Sequence, residues 1–195
     1  IDGSPIRREL GLAPDHFLIT QIGIRSLRGN DDVLEAMATV RAGAPHARLL
    51  FVGARRPESL YEKALARRLD GLVRVLPYRE DIPEILAASD CCVDASYAGL
   101  GLTGTLREAL AVERPVIATE IEGNPELVIH GETGLLVRPR DPPAIAAAIL
   151  RLMERPTEAL ALARAGRKRV EELFSARAKL ERTEALYRRL LAGRS

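Results

Sequence analysis

The sequence predicts an α/β fold, a doubly wound parallel sheet with helices on both faces that ends in C-terminal helices. Three observations predict it. Short β-rich runs alternate with stretches whose apolar residues recur at helical spacing. The 195 residues suit one large α/β unit. With 47% hydrophobic and 29% charged residues, the composition is that of a chain with a real core, not of a disordered one.

In order, residues 17–23 (FLITQIG) read as the first strand. Over 31–41 the residues Val33, Leu34, Met37 and Val40 make a helical stripe, with Asn30 placed to cap it. Residues 48–53 (RLLFVG) are the second strand, and Pro57 opens a helix that runs to about Leu69. Residues 73–76 are the third strand, 82–88 a short helix and 91–94 the fourth strand. A run of small residues, 99–105, then passes into a helix-forming run. Residues 115–119 and 134–137 are the fifth and sixth strands. Beyond them Asp141 caps a helix with Pro142 in its first turn, and Thr157 starts another. A last amphipathic segment, 176–191, carries Leu180, Leu186, Tyr187, Leu190 and Leu191 on one face.

Several function classes are disfavoured. A net charge of +2 gives no argument for nucleic acid. His16, His46 and His130 are far apart, so no metal-ligand spacing appears. The two cysteines, Cys91 and Cys92, are neighbours in an apolar run and read as buried thiols in a reducing compartment. Within these 195 residues no signal peptide and no membrane-spanning run is expected, since the longest apolar runs are cut by charges.

In doubly wound sheets, ligands bind outside the carboxyl ends of the strands. That rule selects loops 23–30, 53–57, 77–81, 95–105 and 119–126. The first carries Arg25, Arg28, Gly23 and Gly29. Guanidinium groups suit phosphate oxygens and glycines permit close backbone approach, but solvated surface arginines give the same pattern. The fourth leads into Thr105-Leu106-Arg107-Glu108, which fits a capping box in which Thr105 and Glu108 satisfy the helix's orphan amides. The same helix start would equally serve as a phosphate seat, with Gly101, Thr103 and Gly104 admitting a diphosphate and Glu108 accepting from a ribose diol. In the third, Tyr78 and Arg79 would flank a planar base or belong to a plain turn.

Taken together, IGIRSLRGNDDVLEAM, RLLFVGA, IPEILAASDCCVDAS, LREALAVERPVIAT, EGNPELV and HGETGLLV form an ordered series covering nearly the whole chain. The series resembles the C-terminal, donor-binding half of the GT-B-fold glycosyltransferases of family 4, the "group 1" family. The resemblance implies one Rossmann-like domain over residues 1–195, with 176–195 a terminal helix packing toward an N-terminal acceptor domain absent here. It implies a nucleotide-diphosphate sugar donor, such as a UDP- or GDP-sugar, with no metal or other cofactor. By position, Arg25 and Arg28 match the cations on the diphosphate, Arg28 standing where lysine is usual, and Gly29 the glycine that follows. Thr103, Gly104, Thr105 and Leu106 match the residues whose amides face the diphosphate. Glu108 matches the second carboxylate of the Glu-x7-Glu signature, on the ribose, and Tyr78 and Arg79 fall where the base lies.

One departure stands out. The first carboxylate of that signature should occupy position 100, which is Leu100. A leucine accepts no hydrogen bond, so the sugar is held differently, the donor differs, or another carboxylate such as Asp94 takes over. The implied reaction is sugar transfer with retention, the leaving diphosphate stabilised by two arginines and a helix start. A chain that begins Ile1-Asp2 is expected to be part of a longer protein whose other half binds a carbohydrate or glycolipid acceptor; alone it would bind nucleotide weakly, transfer nothing and expose some apolar surface. Expected partners include no nucleic acid. The expected location is cytoplasmic, with peripheral membrane association of the full-length protein at the inner face. A non-catalytic nucleotide-sugar-binding module is the alternative. A sugar epimerase of the same fold is disfavoured, since no acid–base residues cluster at the ligand edge.

Overall fold

The computed structural model describes residues 1–98 and 101–192. The expected departure at Leu100 lies outside the described residues. Six strands form one wholly parallel sheet: β1 (Phe17–Ile22), β2 (Ala47–Val52), β3 (Val73–Leu76), β4 (Cys91–Asp94), β5 (Val116–Thr119) and β6 (Leu135–Val137). Their order is β3-β2-β1-β4-β5-β6. The chain therefore winds outward from β1 through β2 to β3, then crosses back to β4 beside β1 and winds the other way. This is the doubly wound fold that the sequence predicts.

The helices are α1 (Ser4–Glu9), α2 (Asn30–Gly43), α3 (Pro57–Ala66), α4 (Ile82–Ala88), α5 (Gly104–Ala111), α6 (Asn124–Leu127), α7 (Pro142–Glu154), α8 (Pro156–Arg169) and α9 (Ala176–Ala192), with a π-helical turn at Val170–Phe174 between the last two. One face of the sheet is covered by α2, α3 and α7, where Val33, Met37, Leu60 and Ile149 meet Ile19, Leu49 and Phe51. The other is covered by α1, α4 and α5, where Ile6, Leu86 and Leu110 meet Leu18, Cys92 and Val116. Successive strand residues point to opposite faces, so Cys91 and Cys92 enter different cores and remain free thiols.

Proline opens α3, α7 and α8 at their first turns, where its missing N–H costs nothing. The Asp141 side chain accepts from Ala144 N at 3.0 Å, so the expected cap of α7 forms. Asp141→Ala is expected to lower stability by about 1 kcal/mol, read as a shift in the urea midpoint with an unchanged slope.

Some boundaries differ from expectation for physical reasons. Helix α3 ends at Ala66, because Arg68 takes φ 58° and returns Leu69 to the core. Asn30 is the first residue of α2, not its cap; its side chain donates to Arg25 O at 3.2 Å and accepts from Gln21 Nε2 at 3.0 Å. The six-residue α1 and four-residue α6 are too short to show a periodic stripe in the sequence. On α9 the residues Leu180, Leu186, Tyr187, Leu190 and Leu191 are all exposed. Among the described residues no helix is long and apolar enough to cross a membrane.

Candidate functional site

The winding direction reverses between β1 and β4, and the loops leaving their carboxyl ends diverge there to leave a crevice. Into it come the loop between β1 and α2, the loop between β4 and α5, and the loop after β5. The three enclose a cavity of about 390 Å³ lined by Arg25, Leu27, Arg28, Ala98, Leu102 and Ile121 among others. A second, open cavity of about 1150 Å³ lies over β1, β2 and β3, with Gly23, Gly53, Tyr78 and Arg79 in its walls. Arg25 lines both.

The centre of the site is Asp94, the last residue of β4, which is 4% exposed. One oxygen, Oδ1, accepts from Ser96 N at 3.1 Å and from the Ser96 hydroxyl. The other, Oδ2, accepts from Arg28 Nη1 at 2.9 Å and from Thr103 Oγ1 at 2.9 Å. Arg28 Nη1 also reaches Ser96 Oγ at 3.3 Å. Thr119 of β5 donates to Ser96 O at 2.7 Å, and Asn124 donates to Thr119 O at 3.0 Å. A single buried carboxylate thus ties the loops after β1 and β4 to the start of α5, and Ser96 extends the network to β5.

Two glycines let these loops meet. Gly29 has φ +65°, and a Cβ there would lie 2.0 Å from Ala95 O. Gly123 has φ +80°, and a Cβ there would lie 2.4 Å from Leu102 N. Neither approach admits a side chain.

The start of α5 bears on the capping-box reading of the sequence. The helix begins at Gly104 with Thr103 in the cap position, two residues earlier than a capping box at Thr105 requires. Among the described residues no side chain caps it, because the Thr103 hydroxyl is turned to Asp94. The capping-box reading is corrected accordingly, and the first-turn amides of Gly104, Thr105 and Leu106 are left uncapped by side chains. The Leu106 side chain itself is core. Glu108 is exposed and turns back over the first turn, with Oε1 3.2 Å from where a Cβ on Gly104 would stand.

The remaining predicted residues are more dispersed. Arg25 is exposed, and among the described residues it pairs with no carboxylate. Tyr78 is 79% exposed at the rim of the larger cavity. Arg79 is engaged: it donates to Glu9 at 2.6 and 3.1 Å and to Asp81 at 2.8 and 2.6 Å. The guanidinium holds the Asp81 carboxyl below its ordinary range and is itself held protonated more firmly. Arg79 therefore anchors the loop after β3 to α1. At the start of α2, burial raises the Asp32 carboxyl, an effect the Tyr97 hydroxyl opposes, and Arg140 lies 4.8 Å over the Tyr97 ring. Among the described residues no three His, Cys, Asp or Glu side chains are grouped to hold a metal ion.

In the sequence Asp94 reads only as a substitute sugar contact, and Ser96 and Thr119 do not stand out. The available signal was the Asp-x-Ser pattern at a strand exit, where an aspartate accepts from the amide two residues on.

Comparison with known proteins gives a consistent picture. The pattern that defines glycosyl transferases group 1 matches residues 17–155. The putative glycosyltransferase EpsD of Bacillus subtilis is 31% identical over 159 residues, covering 80% of this chain and 41% of EpsD. A D-inositol 3-phosphate glycosyltransferase of Rhodococcus erythropolis is 35% identical over 149 residues, covering 70% of this chain and 33% of that protein. The chain thus spans about two fifths or less of these relatives. Among solved structures, Anabaena HepE in complex with UDP-glucose superposes with a TM-score of 0.86 at 25% identity, over 95% of this chain and 52% of HepE. The C-terminal domain of the group 1 protein LpcC from Francisella tularensis matches in fold, with a TM-score of 0.77 at 21% identity, over 90% of this chain and 99% of that domain.

Proposed function

Because this chain belongs to the group 1 glycosyltransferases, we propose that it is the donor-binding domain of an enzyme that moves a sugar from a nucleotide-diphosphate sugar to a carbohydrate or glycolipid acceptor, with retention at the anomeric carbon. The observation that carries this reading is the meeting of Arg25, Arg28 and Thr103, the residue that immediately precedes α5, around one cavity at the reversal of the sheet. Two guanidinium groups and oriented amides at that point suit a diphosphate. The nucleoside then occupies the open cavity beside Gly53 and Tyr78, with its ribose hydroxyls donating to Glu108.

As the bond from the anomeric carbon to the phosphate oxygen breaks, negative charge builds on the leaving diphosphate. Arg25, Arg28 and the amides of Gly104 and Thr105 stabilise that charge without reorganising, because Asp94 has already fixed Arg28 and Thr103. This chemistry calls on the arginines as its cations and on no metal. HepE, crystallised with UDP-glucose, supports a UDP-sugar among the candidate donors. The acceptor site belongs to a preceding domain, toward which the exposed face of α9 packs, and any peripheral membrane association is a property of that longer protein. On its own the present chain binds donor and transfers nothing.

Calorimetry with UDP, GDP and ADP tests the reading. At least one is expected to bind, and Glu108→Gln to weaken it roughly tenfold to a hundredfold, the range for hydrogen bonds to a charged group. The matching 2′,3′-dideoxynucleotide should bind wild type and variant alike. Failure of all three to bind wild type counts against a donor site. Binding that survives Glu108→Gln and Arg28→Ala together moves the site elsewhere.

A further inference from the structure

The 390 Å³ cavity is chemically two-sided. Its cationic side is Arg25 and Arg28. Its other side is Leu27, Ala98, Leu102 and Ile121, all without polar side-chain atoms. Among the described residues no carboxylate, amide or imidazole side chain lines it.

Of the three hydroxyls that line the cavity, Ser26 stands on the arginine loop between Arg25 and Leu27, and the two on the far side are already engaged. Ser96 and Thr103 both donate to Asp94, and Arg28 spends Nη1 on Asp94 and Ser96. Leu27 stands 54% exposed at the rim, an apolar side chain held in solvent beside two arginines. The order of groups along the sheet edge then fixes what meets this wall. The larger cavity lies on the β2 and β3 side of Arg25 and the smaller one on the β4 and β5 side. A diphosphate at the arginines, with its nucleoside over β2 and β3, directs its other substituent into the aliphatic wall.

Resting on the donor-binding reading above, we infer that the sugar this site takes is a deoxysugar, a 6-deoxyhexose that presents a methyl group where an ordinary hexose presents a hydroxymethyl. A hexose hydroxyl pressed against Leu27, Leu102 and Ile121 loses its water and gains no partner, whereas a methyl group gains contact. Apolar pockets reject an added hydroxyl by a limited factor, on the order of a hundredfold at most.

The test uses donor pairs that share a nucleotide and differ at one atom: UDP-glucose against UDP-6-deoxyglucose, and GDP-mannose against GDP-6-deoxymannose, each titrated into the chain beside free UDP and GDP. For the nucleotide that binds, the deoxy donor is expected to bind about tenfold tighter than its parent. Ala98→Glu, at an exposed lining position, restores a carboxylate to the wall and is expected to bring that ratio to one or invert it. The ratio is taken within each variant, so repulsion between the new carboxylate and the diphosphate cancels. If free UDP and GDP fail to bind, the donor site itself is refuted. If they bind and the parent hexose binds as tightly as the deoxy donor, the donor site stands and the deoxysugar assignment falls. An unchanged ratio in Ala98→Glu overturns it equally.

Discussion

Arg28→Ala is expected to destabilise the chain by about 3 kcal/mol and to abolish measurable binding of nucleoside diphosphates. The size of the first effect follows from burial. Asp94 is 4% exposed, and without Arg28 its Oδ2 keeps only the Thr103 hydroxyl. Removing one partner of a buried pair typically costs about 3–5 kcal/mol, because a charge is left without its counterion. The lower end applies here, since the Arg28 side chain is 21% exposed and water reaches it. Denaturant unfolding and calorimetry separate the two effects. Adding Asp94→Asn removes the stranded charge and should recover most of the lost stability, while nucleotide affinity stays lost. An Arg28→Ala variant as stable as wild type would show that Asp94 is not the group that holds these loops.

Gly29→Ala should be nearly as damaging, although it removes no interaction. A left-handed backbone costs an alanine about 1–2 kcal/mol, and forcing atoms into a filled space costs about 1–3 kcal/mol more. A Cβ 2.0 Å from Ala95 O cannot be accommodated unless the loops after β1 and β4 part. Parting them separates Arg28 from Asp94. The variant is therefore expected to lose about 2–5 kcal/mol and most of its nucleotide affinity together. Gly43→Ala, in open space at the end of α2, is the control and should leave nucleotide affinity intact. Retained affinity in a destabilised Gly29→Ala variant would uncouple the two.

The sheet was legible because its strands are short β-rich runs separated by helical stripes, and each run contributes one strand of the observed order. Arg25, Arg28 and the start of α5 were legible as a candidate site for a different reason. They follow strands whose carboxyl ends lie side by side on one edge of the sheet, where the winding reverses. What was illegible is the set of contacts between loops distant in sequence. Nothing local to Thr103 says that its hydroxyl serves Asp94 and not its own helix. Likewise nothing local to Arg79 says that Glu9, seventy residues earlier, engages it. The spacing of Thr105 and Glu108 suggested a cap that the structure does not form, because tertiary contacts started the helix at Gly104.

The paired cysteines have a practical use in these measurements. Alkylating reagents attack the thiolate, and both Cys91 and Cys92 are fully enclosed with their thiols pushed well above the ordinary range by burial. The native chain therefore carries no reactive sulfur, and labelling proceeds only when β4 itself becomes accessible. Because Cys92 lies two residues before Asp94 on that strand, its modification rate clocks opening of the fold directly beneath the proposed nucleotide site. Pulse alkylation followed by mass counting would thus report, without any added dye, whether a weakened variant has lost its ligand by local rearrangement or by unfolding outright.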